Sequence, residues 1–265
     1  MRWIRYEADG RVSYGILQGE EVEVVSGSPF DAYRRTGTLL ALDSVKLLVP
    51  IIPRTFYAAG INYEEHVRAA ATLLNREPDL PSKPDIGYRA NNALIAHGEP
   101  IIIPADATER VQYEGELVVV IGRMAKNLSE ADAFSCVLGY TIGNDVSERS
   151  WQASDRTLWR AKNTDTFKPM GPWIETDADP ARMKTTVRLN DNVVSEFATN
   201  NMIFGIATYI SAMSQYLTLY PGDVIWMGTD GATQNMKAGD VVEVEISGVG
   251  TLRNPLVAQK VEAGD

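Results

Sequence analysis

The stretch Val111–Gly122, Val-Gln-Tyr-Glu-Gly-Glu-Leu-Val-Val-Val-Ile-Gly, constrains this chain more than any other. β-Branched residues run from Val118 to Ile121 and a glycine ends the run, which is the pattern of a strand. Residues two apart on a strand point to the same face. Glu114 and Glu116 therefore stand side by side, and Gly115 between them adds no bulk. Two carboxylates at the mouth of an apolar strand repel each other and lose hydration, and burying one such charge unpaired is costly. A shared proton, a basic partner or a metal ion would relieve that cost. An edge strand with a wet Glu face is the alternative.

Composition narrows the functional classes. The chain has 265 residues, 45% hydrophobic and 23% charged, enough for one large domain or a large domain with a small one. Its formal net charge of −10 and the lack of a basic stripe exclude an ordinary nucleic-acid binder. The acidity also argues against an anionic membrane surface as a partner. Cys136 is the single cysteine, so no disulfide forms within the chain, which fits a reducing compartment and a buried structural role for Cys136. Neither a secretory signal nor a transmembrane run is visible, and the expected location is the cytoplasm.

Two units are expected, 1–53 and 54–265. The first is small and β-rich. A hairpin turns at Asp9-Gly10, a strand covers Glu21–Val25, a short helix is predicted over Pro29–Arg35, and Val45–Pro53 reads as a linker. The second opens with a short strand, Thr55–Gly60. A helix follows, with Asn62 as its N-cap, and then a proline-broken loop from Asn75 to Pro84. Residues 62–84 read as a mobile lid. Further on, the patterns predict a strand at Ile101–Ile103, a helix over Ser129–Val137 and a strand at Gly139–Gly143. A helix start at Asn144, a hairpin at Asn190-Asp191-Asn192 and a helix within Met202–Tyr216 follow. Strands come after Gly222-Asp223 and Gly239-Asp240. No regular βα alternation appears, so the expected class is mainly β with some α (α+β).

Asp145 is the natural third carboxylate, because it follows an apolar strand at a turn. With Glu148 three residues on, it also fits a capping-box variant and could simply cap a helix. Together Glu114, Glu116 and Asp145 make an oxygen-only ligand set, which suits Mg²⁺, Mn²⁺ or Ca²⁺ and fits zinc poorly.

Several spaced motifs then combine. They are Gly60-Ile61-Asn62-Tyr63 with His66; Tyr113-Glu114-Gly115-Glu116-Leu117; Gly139 through Arg149 with Trp151-Gln152; Lys162 with Asp165-Thr166-Phe167; Gly171-Pro172-Trp173; and Gly222-Asp223-Val224-Ile225 with Gly228-Thr229. In this order they resemble the fumarylacetoacetate hydrolase family over about residues 55 to 260. The resemblance implies a mixed β-sheet roll preceded by a small N-terminal domain, and a homodimer. It implies Mg²⁺ or Mn²⁺ (Ca²⁺ in a crystal) on Glu114, Glu116 and Asp145, and a small 2-oxo or dioxo acid as substrate. Lys162 resembles the family's active-site lysine, a cation placed to stabilise an enolate. His66 resembles the catalytic histidine of the lid, and Thr229 the threonine that holds the substrate carboxylate. Gln152 and Arg149, just after Asp145, could face the pocket, Gln152 as a catalytic group and Arg149 as a substrate-binding one; Arg89, also expected to bind substrate, takes a position often held by Lys. Each has a plainer reading: a surface lysine, an exposed helix histidine, a turn threonine, a helix salt bridge.

The departures from the family pattern bear on the reaction. Ala69 stands where a Glu often follows the lid histidine, so His66 lacks a neighbouring carboxylate to raise its basicity. Arg89 keeps the charge of Lys but not its geometry. Asp230 stands where Pro is usual. The leading expectation is a metal-dependent hydrolase that cleaves a C–C bond of an acylpyruvate-like 2,4-dioxo acid through a metal-stabilised enolate. The alternative is an isomerase, decarboxylase or hydratase acting on a 2-oxo acid from aromatic catabolism. A metal-binding protein without catalysis is the third.

Overall fold

The computed structural model describes residues 1–73, 75 and 77–260. Leu74 and Arg76, within the predicted lid, and 261–265, at the end of the predicted second unit, lie outside the described residues. The fold is mostly β. At its centre the strand Gly115–Ile121 is buried at all seven positions. Leu117, Val119 and Ile121 enter one apolar cluster with Ile142, Val187 and Val244. Val118 and Val120 enter a second, with Phe56, Val224 and Trp226. Burial on both faces explains why this segment reads as an unbroken apolar run. Each fully buried Val, Leu or Ile contributes about 1.5–3 kcal/mol.

This strand lies inside a twelve-stranded sheet. The main path runs Arg34–Ala41, Glu21–Ser26, Arg11–Gln18, Arg2–Ala8, Lys168–Glu175, Val137–Asn144, Gly115–Ile121, Val224–Trp226, Phe56–Ala59, Ile86–Tyr88. A five-stranded sheet, ordered Asn192–Ala198, Lys184–Leu189, Val241–Ile246, Gly250–Ala258, Ile101–Ile103, packs against one face of it. The approach is closest at Gly115, where a Cβ would meet Val187 Cγ2 and Val244 Cγ1 at 2.9 Å. Glycine is therefore required between the two glutamates, whose side chains leave on the opposite face. The helix Ile206–Tyr216 seals this core with Ile206, Tyr209, Ile210 and Met213. Among the described residues no helix is long and apolar enough to cross a membrane.

The N-terminal hairpin turns at Asp9 and Gly10, both at positive φ (50° and 71°), the geometry of a tight hairpin turn. Its first strand then continues the long sheet by pairing Arg2 with Glu175 and Trp3 with Ile174. Residues 46–48, read as linker, form a strand on Arg2–Ala8. The hairpin at Asn190-Asp191 forms with both residues at positive φ. The two Gly-Asp turns are alike: Asp223 Oδ2 accepts the Tyr220 N–H and Asp240 Oδ2 the Lys237 N–H, each at 2.8 Å.

Four predicted helical features differ. The helix expected from Asn144 begins only at Arg149, because Ser147–Glu148 is drawn into pairing with Val111–Gln112. Pro29–Arg35 is not helical; after a turn in which Ser28 Oγ accepts the Phe30 N–H, the chain enters the edge strand Arg34–Ala41. Ser129–Val137 yields one 3₁₀ turn, Ala133–Cys136, because the Cys136 carbonyl accepts the N–H groups of Gly122 and Arg123 and pulls the chain into the sheet. Asn62 does not cap the helix Glu64–Leu73. Its side-chain NH₂ donates to Met227 O (2.9 Å) and Phe204 O (3.1 Å), and its oxygen accepts the Phe204 N–H. Cys136 is buried, with its thiol on the Ala133 carbonyl.

Candidate metal centre

The ladder that carries the glutamates is interrupted. Val111–Gln112 pairs with Ser147–Glu148, and pairing resumes with Gly115 opposite Asn144. Tyr113-Glu114 and Asp145-Val146 face each other across the gap. The gap is stitched by Asp145 N–H to Glu114 O (2.8 Å) and by Glu114 N–H to the Asn144 side-chain oxygen (2.9 Å). Glu114 and Asp145 thus leave the sheet at one level, and Glu116 follows one step along the strand. One oxygen from each of the three carboxylates lies within 4.8 Å of the others, and all three residues are buried. Asp145 is not a helix cap. Glu148 holds that position, accepting the Trp151 N–H at the start of Arg149–Gln152.

The acids are met by cations. Lys162 Nζ lies 2.5 Å from Glu114 Oε2 and 2.7 Å from Asp145 Oδ2, and its side chain is almost fully buried. It is aimed by the short helix Trp159–Asn163, whose first N–H groups, Arg160 and Ala161, donate to Asp155. Arg160 lies over the Trp151 ring at 4.4 Å, tying this helix to Arg149–Gln152. Arg89, just after the strand Ile86–Tyr88, places Nη2 2.8 Å and Nε 3.1 Å from the two oxygens of Asp145. Arg149 Nη2 lies 2.7 Å from Glu114 Oε1, and its other nitrogens donate to the oxygens of Gln112 and Gln152. Gln152 therefore sits one residue away from the acids, holding Arg149.

The sequence reading missed Lys168. It is wholly buried, and Nζ donates to Asp145 Oδ1 (2.7 Å), Val146 O (2.9 Å) and Phe167 O (2.8 Å). A usable signal was present: a lysine inside the apolar strand Phe-Lys-Pro-Met-Gly-Pro-Trp-Ile needs a buried partner.

Burial opposes ionisation of all three acids. At Asp145, Arg89, Lys162 and Lys168 outweigh it and hold the carboxyl well below its usual range. At Glu114, Lys162 and Arg149 outweigh it and lower the carboxyl. Glu116 is pushed up to about 8 by burial and by repulsion from Asp145 and Glu114; it accepts the Gly228 N–H at 2.9 Å. Buried oxygen donors of this kind fit a hard divalent ion.

The parallel strands Phe56–Ala59 and Val224–Trp226 both end at this site. The loop after the second carries Gly228 and the buried Thr229. His66, half-buried on the helix Glu64–Leu73, has Nδ1 3.3 Å from Thr229 O. A Cβ on Gly231 would lie 3.7 Å from its ring, so the Thr229–Gly231 backbone cradles the imidazole. Between them, half-buried Asp230 is raised by burial and by Glu65, while His66 pulls the other way. Ala69 is exposed. His97, the other histidine of the chain, accepts the Arg253 N–H, and burial lowers it.

Residues 55–257 match the model of the fumarylacetoacetate (FAA) hydrolase C-terminal domain. The chain belongs to the fumarylacetoacetate hydrolase family. Residues 1–50 match an Rv2993c-like N-terminal model. Protein Rv2993c of Mycobacterium tuberculosis is 38% identical over 267 residues, 97% of this chain and 98% of the relative. A mitochondrial oxaloacetate tautomerase of Xenopus laevis is 35% identical over 232 residues, 83% of this chain and 70% of the relative. A 5-carboxymethyl-2-hydroxymuconate delta-isomerase structure from Mycobacterium smegmatis is 37% identical, with a TM-score of 0.88 over 98% of this fumarylacetoacetate hydrolase family chain and 100% of that one. Enzymes of this family, tautomerase and isomerase among them, thus surround the chain.

Proposed function

We propose that this protein is a divalent-metal-dependent enzyme that moves a proton on a small 2-oxo acid, as an isomerase or tautomerase. The carrying observation is the pairing of the three acids and Lys162 with an imidazole whose Nδ1 faces the Thr229 carbonyl. A carbonyl only accepts, so neutral His66 carries its proton on Nδ1 and keeps a lone pair on Nε2. Glu114, Glu116 and Asp145 would hold the ion, Mg²⁺ or Mn²⁺. When bound, the ion supplies positive charge that polarises the substrate's carbonyl oxygens. Nε2 of His66 takes the proton from the carbon beside the carbonyl and returns it elsewhere on the enolate. The Lys162 ammonium offsets the negative charge that develops on the enolate oxygen. The Thr229 hydroxyl and the Arg89 guanidinium take the substrate carboxylate. Arg149, steadied by Gln152, orients Glu114 and adds positive charge at the rim. The tautomerase and isomerase relatives support this reading.

Hydrolysis of an acylpyruvate-like 2,4-dioxo acid is the second reading, favoured by the family description. It shares the enolate and adds a water activated near His66. The proposal also includes a homodimer, which sedimentation would test. To separate the reactions, the protein with Mg²⁺ is incubated in D₂O with an acylpyruvate and a panel of 2-oxo acids. Deuterium entering the carbon beside the carbonyl without cleavage is expected. Cleavage to pyruvate and a carboxylic acid would move the assignment to the hydrolase. Neither exchange nor cleavage would overturn both. His66→Ala should slow exchange by about 10²-fold or more.

A further inference from the structure

Lys168 differs from the other cations of the site. Lys162, Arg89 and Arg149 have side chains with residual exposure, whereas that of Lys168 has none. Its backbone is fixed at the start of the strand Lys168–Glu175, where Lys168 pairs with Leu94. Its ammonium has three donors, and three oxygens accept them: Asp145 Oδ1, Val146 O and Phe167 O. Lys168 therefore cannot touch a substrate, and it cannot release Asp145 without stranding a buried charge.

The two oxygens of Asp145 are held differently. Oδ1 accepts from Lys168 at 2.7 Å and more weakly from Arg89 Nε, which is split between Oδ1 (3.1 Å) and Oδ2 (3.3 Å), so Lys168 is the cation committed to Oδ1 alone. Oδ2 is met by Lys162 and Arg89 Nη2 on the side of the other acids. Lys162 is shared with Glu114 and comes from a five-residue helix, so it can yield. Lys168 sits in a strand and cannot.

We propose that Lys168 is a positioning residue that makes Asp145 a one-oxygen ligand and so sets the site's preference for Mg²⁺ or Mn²⁺ over Ca²⁺. This rests on reading the acidic triad as a metal centre. The chemistry follows from ion size. Ca²⁺ gathers six to eight oxygens and often takes both oxygens of one carboxylate, whereas Mg²⁺ is smaller and keeps to a tight octahedron. A carboxylate with one oxygen permanently engaged serves the second ion better than the first. The engaging group is a cation, so it also lowers the site's attraction for every divalent ion.

The test is competitive binding on the full chain, stripped with chelator, following free Mn²⁺ by its paramagnetic resonance while Mg²⁺ or Ca²⁺ is added. The wild-type protein is expected to hold Mg²⁺ more tightly than Ca²⁺. Lys168→Met should shift the Ca²⁺-to-Mg²⁺ affinity ratio toward Ca²⁺ by about 10-fold or more, the scale on which partners of metal ligands act. Lys168→Gln keeps an N–H for Oδ1 without the charge. It should leave the ratio within about threefold while raising both affinities. An unchanged ratio in Lys168→Met overturns the proposal, as does a tenfold shift in Lys168→Gln. Wild-type protein preferring Ca²⁺ overturns it with no variant needed. Wild-type protein that binds no ion at about 10 mM, beyond the weak end of ordinary protein sites, removes the metal centre itself and this inference with it.

Discussion

Glu114 has Lys162 and Arg149 against its two oxygens, and Asp145 has three cations. Glu116 is buried beside two like charges, which is why it is pushed up to about 8 despite the Gly228 N–H that it accepts. Its ordinary value is near 4.5. Between these values the folded protein binds a proton that the unfolded chain does not, so stability must fall as pH rises through that window. In chelator, the melting temperature should drop from pH 5 toward pH 7, above which Lys168, lowered to about 7 by burial, works in the opposite sense. With Mg²⁺ present the drop should shrink, because the ion replaces the proton and rewards the ionised form. Equal slopes in thermal melts with and without Mg²⁺ would count against Glu116 as a ligand. Lys162 acts in the opposite sense, as a charge the ion must tolerate. Lys162→Met should therefore bind Mn²⁺ more tightly by calorimetry, yet turn over about 10²-fold more slowly.

The element that aims Lys162 is a five-residue helix, too short to persist unaided. Asp155 satisfies two of its leading N–H groups, and the Arg160–Trp151 stack anchors it sideways. Asp155→Ala should cost about 1 kcal/mol in denaturant titrations, the usual loss for a removed cap. Turnover should fall with it, through displacement of Lys162. An unaltered kcat would mean that the helix holds its place without the cap. At this scale the sequence is legible where one local rule decides. The run Val118–Ile121 reads as a strand and is one, with burial deciding against the edge-strand alternative, and Asp9-Gly10 and Asn190-Asp191 turn as read. It fails where a distant partner decides. Asp145-x-x-Glu148 satisfies the capping rule, but the residue that caps is Glu148, because Asp145 is claimed by Arg89, Lys162 and Lys168 from three other segments. Asn62 is likewise taken from its helix by Met227 and Phe204. Lys168 escaped notice because Asp145 and Val146, two of its three acceptors, lie in the gap between Val137–Asn144 and Ser147–Glu148, more than twenty residues away in the chain.

Across the whole molecule, the proposed units 1–53 and 54–265 share a sheet and a core. Trp3, Ile16, Val49 and Ile51 lie in the cluster that holds Phe56, Val118 and Trp226. The strand Arg2–Ala8 covers part of the edge of Lys168–Glu175, the strand that fixes Lys168. Removing residues 1–53 should leave that edge open to pairing with other chains. The expected result is a protein that aggregates and binds Mn²⁺ poorly. A monodisperse truncated protein with full Mn²⁺ affinity would show the N-terminal unit to be dispensable. Trp3→Ala is the milder version and should cost about 3–5 kcal/mol, as for other buried tryptophans.

The gap in the ladder at Glu114 and Asp145 also sets an order of events. Strands 111–112 and 115–121 must find 147–148 and 137–144 before the two carboxylates can face each other. A chain still searching for that register presents scattered acids, none of them a chelate. An ion added at the start of refolding therefore has nothing to template and cannot hasten the search. Its capture, followed in a stopped-flow mixer, becomes a clock that strikes only once this seam has closed.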